Sequence, residues 1–280
     1  MTKGSECAWL YYKLRTTEQS WNPIEEVITD LIPRALAVAV PARWFFVRYR
    51  DEIGLHVRFR LAILNDRLTE KCEEVERTLE QWTRVKDNGT PILAMVEKDS
   101  YVPEIGKFGN EGIGIAEEVF QASSEIALLA IRNECQGGGS RKTLAPFLMQ
   151  CVADAYVAEE KQKEFWESYA GYWLNFDPAS AARWQGIYAS KAREMAEQDV
   201  SVLSNSGSLG EPARQSIDSW RAVMGSSVRR FASVQQGDAG RRSNLAFEFI
   251  HLMNNRLGIL AIAEAYLATL LAQQRDRSSL

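Results

Sequence analysis

Basic and apolar residues alternate through 56–61: His56, Arg58 and Arg60 take one parity, Val57, Phe59 and Leu61 the other. A strand turns successive side chains to opposite faces, so this segment is expected to line one sheet face with three basic groups. The aromatic run Trp44–Tyr49 before it, with Asp51-Glu52-Ile53-Gly54 between, makes the pair a hairpin. Two registers are open. One pairs Tyr49, Val47 and Phe45 with His56, Arg58 and Arg60; the other, slipped by one, brings Arg48 and Arg50 beside them. The bland alternative is a solvated face with local ion pairs, but Trp44, Phe45, Phe46 and Tyr49 make both faces of the first strand apolar.

The same reading extends along the chain. Residues 8–15, AWLYYKLR, predict a first strand. Ser20, Pro23, Glu25 and Glu26 open a helix whose apolar face is Ile24, Val27, Ile28, Leu31 and Ile32. After the hairpin, Asn65 or Asp66 is expected to cap a helix that runs to Lys86, with Leu68, Cys72, Val75, Leu79 and Trp82 on one face and Asp87-Asn88-Gly89 ending it. Residues 91–98 read as a fourth strand.

From Asn110 the period is helical: 113–135, 144–173 with a break near Glu159, 178–199, 212–235 and one last helix over 242–274. Gln136–Ser140, Ser201–Gly210 and Gln236–Gly240 are the breaks, the last two read as surface loops. The expected fold is α+β: a small ferredoxin-like N-terminal sheet over 1–109 packed on a C-terminal helical bundle over 110–280, in one continuous body.

The 280 residues, 46% hydrophobic and 25% charged, have the composition of an ordinary globular chain. A net charge of −4 argues against nucleic acid as a partner. No apolar run is long enough for a membrane span and the N-terminus lacks a signal-peptide core, so a cytoplasmic protein with no membrane partner is expected. Cys7, Cys72, Cys135 and Cys151 are widely spaced and His56 and His251 are the two histidines, so a metal site is not expected.

Each histidine therefore asks for an explanation. On a straight helix His251 shares a face with Phe247, Asn254, Asn255, Gly258 and Ile262, an imidazole and two amides among apolar groups. Its bland alternative is a satisfied core residue. Arg256 lies about 140° round the helix and is expected to serve a different contact, with an ion pair as its bland alternative. In 101–110, Pro103, Gly106 and Gly109 hold Tyr101, Glu104 and Lys107 in a constrained loop after the fourth strand, where a structural turn is the bland reading. Gly137–Thr143 superficially resembles a phosphate loop but lacks the spacing, and reads as a linker.

WLYYKLR, a helix ending in a proline, WFFVRYRDEIGLHVRFRL, YVPEIGKFG, EEVFQASSE and IHLMNNRLGI, in this order, resemble the C-terminal domain of lantibiotic dehydratases, which also occurs as free-standing proteins in thiopeptide biosynthesis. The resemblance implies modification of a ribosomally made precursor peptide, with its leader and core, and possible contact with other enzymes of the same pathway. In one branch the domain eliminates glutamate from glutamylated Ser or Thr, and Arg58, Arg60 and His251 sit at the matching motif positions. In the other, free-standing relatives join two dehydroalanines in a formal [4+2] cycloaddition, forming a pyridine and expelling the leader.

This chain departs from the eliminating pattern. Gly106-Lys107-Phe108-Gly109-Asn110 stands for E-R-Y-G-G, Ser123-Ser124 for Asp-Ser, and Met253 for a second histidine. The leading expectation is a pyridine synthase needing no cofactor, with His251, His56 and Tyr101 as candidates for proton exchange and Asn255 orienting. Arg58, Arg60, Lys107, Glu104 and Arg256 are the candidate substrate-binding residues. The alternatives are a glutamate-eliminating lyase, whose arginines would grip the glutamyl carboxylate bidentately, and a non-catalytic subunit that binds the precursor.

Overall fold

The computed structural model of the chain describes residues 7–18, 20–84, 91–175, 183–188, 190–191, 211–234 and 239–278. Two compact units divide it, Met1–Lys107 and Phe108–Leu280.

The first unit is the α+β layer. Its strands β1 (Cys7–Thr16), β2 (Arg43–Arg50), β3 (Leu55–Leu64) and β4 (Leu93–Asp99) form one antiparallel sheet in the order β2-β3-β1-β4, the ferredoxin-like arrangement. The face carrying Phe46, Val57, Phe59, Leu61, Tyr12 and Leu14 is sealed. Helices cover it, since Tyr12 reaches Glu76 of α3 (Leu68–Glu80) at 3.3 Å and Arg48 lies 3.6 Å from Glu25 of α1 (Trp21–Glu26).

The apolar stripe Ile24, Val27, Ile28, Leu31 and Ile32 is fully buried, as the spacing predicts. The helical run does not end at Pro33. Val27–Leu31 forms a π turn in which the Ile32 amide donates to Val27 O, and α2 (Ile32–Ala39) continues beyond the proline. A proline ring crowds the carbonyl four residues back and lacks a donor, so widening the turn just before it lets the helix go on. Ser20 occupies the cap position of α1, but its hydroxyl donates to Glu18 and not to the helix. Neither Asn65 nor Asp66 caps α3: residues Asn65–Arg67 form a 3-10 turn, and a second 3-10 turn, Gln81–Thr83, follows Glu80, short of Lys86. Asp87-Asn88-Gly89 lies outside the described residues.

After the short helix α4 (Ile105–Phe108), the second unit is helical: α5 (Ile113–Cys135), α6 (Arg141–Tyr156), α7 (Gln162–Leu174), a helical stretch at 183–188, and the helices Glu211–Val234, Ala239–Leu257 and Ala261–Ser278. Ser140 caps α6 by accepting the Lys142 amide, so the glycine loop before it is a helix connection. The break near Glu159 is a 3-10 turn. Phe249 centres the core, with Phe108, Phe120, Tyr156 and Phe231 at ring separations of 5.7, 6.3, 5.6 and 6.0 Å. Most of the expected 178–199 helix, all of Ser201–Gly210 and residues 236–238 of the other loop lie outside the described residues; Ala239 and Gly240 are already helical. Among the described residues no helix is long and apolar enough to cross a membrane.

The expected single helix over 242–274 is two. Gly258 takes φ +77°, its amide donates to Asn255 O at 3.0 Å, and the Ile259 amide donates to Asn254 O at 2.9 Å. That pair of bonds is a glycine-terminated Schellman ending, and it turns the chain back. Ile262 is therefore not on the His251 face; it is 38% exposed in the next helix. A left-handed position disfavours any side chain with a Cβ. Gly258→Ala is expected to cost about 1–2 kcal/mol in urea denaturation with native helix content retained.

Candidate functional site

The first unit supplies a charged, aromatic sheet face. The hairpin adopts the first of the two registers, with Tyr49 opposite His56, Val47 opposite Arg58 and Phe45 opposite Arg60. β1 and β4 extend the ladder: Arg60, Arg58 and His56 face Tyr11, Lys13 and Arg15, which face Asp99, Glu97 and Met95.

Two of these cations are neutralised. Arg15 grips Asp51 at 2.9 and 3.0 Å and Glu97 at 3.2 Å; Lys13 holds Glu97 at 2.9 Å and Asp99 at 2.7 Å. Arg15 holds the Asp51 carboxyl far below the usual carboxylate range. His56 is enclosed within this cluster, its Nδ1 3.2 Å from Gly54 O and 3.3 Å from Arg15. Burial lowers its pKa, which favours the neutral ring. With Nδ1 protonated toward Gly54, its Nε2 accepts from Arg58 Nε at 3.5 Å. In this arrangement His56 supports the turn and Arg58.

Arg58 and Arg60 differ from Arg15. Arg58 stacks on Tyr49, its Cζ 3.3 Å from the ring centre. Arg60 sits 4.5 Å from the Tyr11 ring and 5.3 Å from those of Phe45 and Tyr101, and Trp9 packs against both of the latter at 5.4 and 4.8 Å. Among the described residues neither guanidinium makes an ion pair. Burial draws the pKa of Arg60 below the ordinary arginine value. An aromatic setting suits a weakly hydrated guanidinium while its fork stays available to an oxygen. In the loop beyond, Glu104 and Lys107 pair at 3.0 Å across the short turn Ile105–Phe108, each about half exposed.

The second unit holds a buried carboxylate against an accessible imidazole. His251 has a side chain 32% exposed, packs against Trp173 with tilted rings 4.5 Å apart, and lies with Nδ1 3.1 Å from Glu264 Oε1. Glu264 is 1% exposed and also accepts from Asn254 Nδ2 at 3.2 Å and from the Tyr169 hydroxyl. Burial and the neighbouring carboxylate push the Tyr169 pKa well above its ordinary value, so it remains a donor. Three donors thus compensate a buried carboxylate, which in turn fixes the imidazole. With Nδ1–H directed to Glu264, Nε2 is left for proton exchange. An aromatic groove of about 460 Å³, lined by Phe165, Tyr169, Tyr172, Ser243, Asn244 and Phe247, shares Tyr169 with this network.

Other candidates are placed differently. Asn254, not Asn255, belongs to the carboxylate network; Asn255 is half-buried and its carbonyl closes the helix end. Arg256 is sealed in the core, with Nε donating to Ser124 Oγ at 3.1 Å and Cζ 5.2 Å from the Phe120 ring. Met253 is fully buried, and the hydroxyls of Ser123 and Ser124 both donate to Phe120 O. Glu264, Tyr169 and Trp173 were not foreseen. Glu264 alone had a signal, as the single charge within Ile259–Leu271.

The profile of the family described as lantibiotic biosynthesis dehydratase C-term matches residues 9–274. The chain belongs to this family. Among solved structures, the tRNA-dependent lantibiotic dehydratase MibB from Microbispora sp. 107891 superposes with a TM-score of 0.69 at 18% identity. The match covers 100% of the present chain but 29% of MibB, so this lantibiotic dehydratase C-terminal family member spans under a third of that protein. The pyridine synthase TbtD from thiomuracin biosynthesis gives 0.69 at 16% identity over 97% of this chain and 98% of TbtD. TsrL gives 0.63 at 16%, over 99% and 96%. At such identities the likeness is one of fold. No curated protein matches the sequence.

Proposed function

We propose that this member of the family modifies a ribosomally made precursor peptide by joining two dehydroalanines into a pyridine with expulsion of the leader. The carrying observation is His251, accessible on one side and fixed on the other by the buried carboxylate of Glu264. In the reaction one amide acts as its iminol tautomer and, with its dehydroalanine, adds across the second alkene. Two carbon–carbon bonds form; water and the leader, as its carboxamide, then leave. Atoms and electrons balance without an external oxidant. Tethered alkenes gain most from being held in reactive geometry, and the amide needs a proton moved from nitrogen to oxygen. His251 is the proton carrier, Tyr101 a second candidate, and Arg58 and Arg60 bind peptide carbonyls.

The alignment with TbtD over nearly all of both chains supports this reading. So do the positions that depart from the eliminating pattern: Lys107 is paired with Glu104, Met253 is core, and the Ser123 hydroxyl is engaged with Phe120 O. A second reading, glutamate elimination, is favoured by Arg58 and Arg60, which make no close ion pair among the described residues and would fit a glutamyl group.

A Ser-rich precursor peptide with its leader, prepared once with two dehydroalanines and once glutamylated, separates the readings by mass spectrometry. Ring formation with leader release from the first, and no change in the second, is expected. Glutamate loss from the second alone overturns the proposal for elimination, and tight leader binding without either reaction overturns it for a binding subunit.

A further inference from the structure

Within the first unit, four reactive side chains meet between α3 and the edge strand β4. Tyr12 and Lys98 are register partners on the helix-covered sheet face, and α3 brings Cys72 and Glu76, one turn apart, against them. Lys98 Nζ lies 3.0 Å from Cys72 Sγ and 2.7 Å from Glu76 Oε1. The thiol is 3.2 Å from the same carboxylate oxygen, and the Tyr12 hydroxyl is 3.8 Å from the sulfur. Cys72 is half-buried and the Lys98 side chain is 55% exposed, so small solutes reach the pair. The other thiols are placed differently: Cys7 and Cys135 are exposed and Cys151 is buried.

Each group has a distinct part. Lys98 lowers the pKa of Glu76, which therefore stays a carboxylate, while Cys72 and then Glu76 raise the pKa of Lys98, so the ammonium must give up a proton before its nitrogen reacts. Burial, with Cys72 next, drives the Tyr12 pKa far upward, so this hydroxyl stays neutral and does not compete as a nucleophile. Sulfur accepts oxygen from peroxide to give a sulfenic acid, an electrophile that condenses with a thiol or with a nitrogen beside it. Here the Lys98 amine stands 3.0 Å from the sulfur. The sulfur–nitrogen separation is closer to that across one bridging atom than to a bonded pair.

We propose that Cys72 and Lys98 form an oxidative modification site, closing to a covalent sulfur–oxygen–nitrogen bridge when the chain meets hydrogen peroxide. The S–H bond and one N–H bond of the neutral amine break, and one oxygen joins sulfur to nitrogen. Two molecules of peroxide are reduced and three of water released, the extra proton of the lysine ammonium passing to solvent. The bridge ties α3 to β4 across a separation of 26 residues, and thiol reductants reopen it.

The full chain is treated with hydrogen peroxide, digested without reduction, and its peptides are weighed. The expected product is the Cys72 peptide joined to the Lys98 peptide with one oxygen gained and two hydrogens lost, reverting to separate peptides with dithiothreitol. Cys72→Ser and Lys98→Arg both abolish it; the latter keeps the thiol and a cation, and so controls for folding. Three results overturn the proposal: oxygen added to Cys72 with Lys98 free, a joined pair that has gained no oxygen, or oxidation confined to Cys7 and Cys135.

Discussion

His251→Ala is expected to lower turnover of the bis-dehydroalanine precursor by roughly 10²–10⁴-fold, the usual worth of a positioned acid–base group. Leader affinity, read by fluorescence anisotropy, should be unchanged, because the imidazole is assigned to proton movement and not to holding the peptide. The fold should survive: the side chain is already 32% exposed, and Glu264 keeps its bonds from Asn254 and Tyr169. The kcat for leader release, followed by mass spectrometry, decides the matter. A loss smaller than about tenfold would mean that the cavity alone accounts for the rate, which effective-molarity arguments allow.

Glu264→Gln is the second large effect. It keeps the volume and an oxygen for His251 Nδ1 while removing the negative charge, so the imidazole is no longer held in one tautomer. A fall in kcat of order 10²-fold is expected, smaller than the loss known where an orienting carboxylate is amidated in a serine protease. KM should stay within about twofold, since no contact with the peptide is assigned to this side chain. Tyr169→Phe provides the contrast. It removes one donor from Glu264 but leaves the His251 contact, so it should lower thermal stability and largely spare kcat. Equal losses of kcat in both variants would reduce the network to structural support.

The hairpin was legible because alternation and turn chemistry are local. Parity alone placed His56, Arg58 and Arg60 on one face, and the four-residue turn pairing was one of two registers in view. The fate of each group was not local. His56 is enclosed because Arg15 comes from β1 and Glu97 from β4, and those pairings span many residues. Arg60 looks like its neighbour Arg58 in sequence, yet only the arrival of Trp9, Tyr11 and Tyr101 gives it an aromatic setting. The proline after Ile32 reads as a helix end, because a π turn has no compositional mark that periodicity detects.

The helical half shows the same division. The 113–135 helix could be read directly, since its apolar spacing is unbroken and glycines follow it. The last segment misled for the opposite reason: apolar residues continue on both sides of Gly258, and a lone glycine within such a run reads as tolerated. With the helix drawn straight, His251 faced amides and Ile262, and Glu264 had no place beside it. The Schellman ending is a tertiary event here, made useful by the carboxylate that returns to the imidazole.

That return makes spacing as consequential as identity. Three residues, Gly258–Leu260, separate the two helices, and each residue added or removed would rotate the following helix by about 100° about its axis. Glu264 would then present its carboxylate to a different neighbour while every side chain around His251 stayed the same. Relatives of this chain that keep the histidine and the acid but alter this interval by one would carry both halves of the pair without the pair itself.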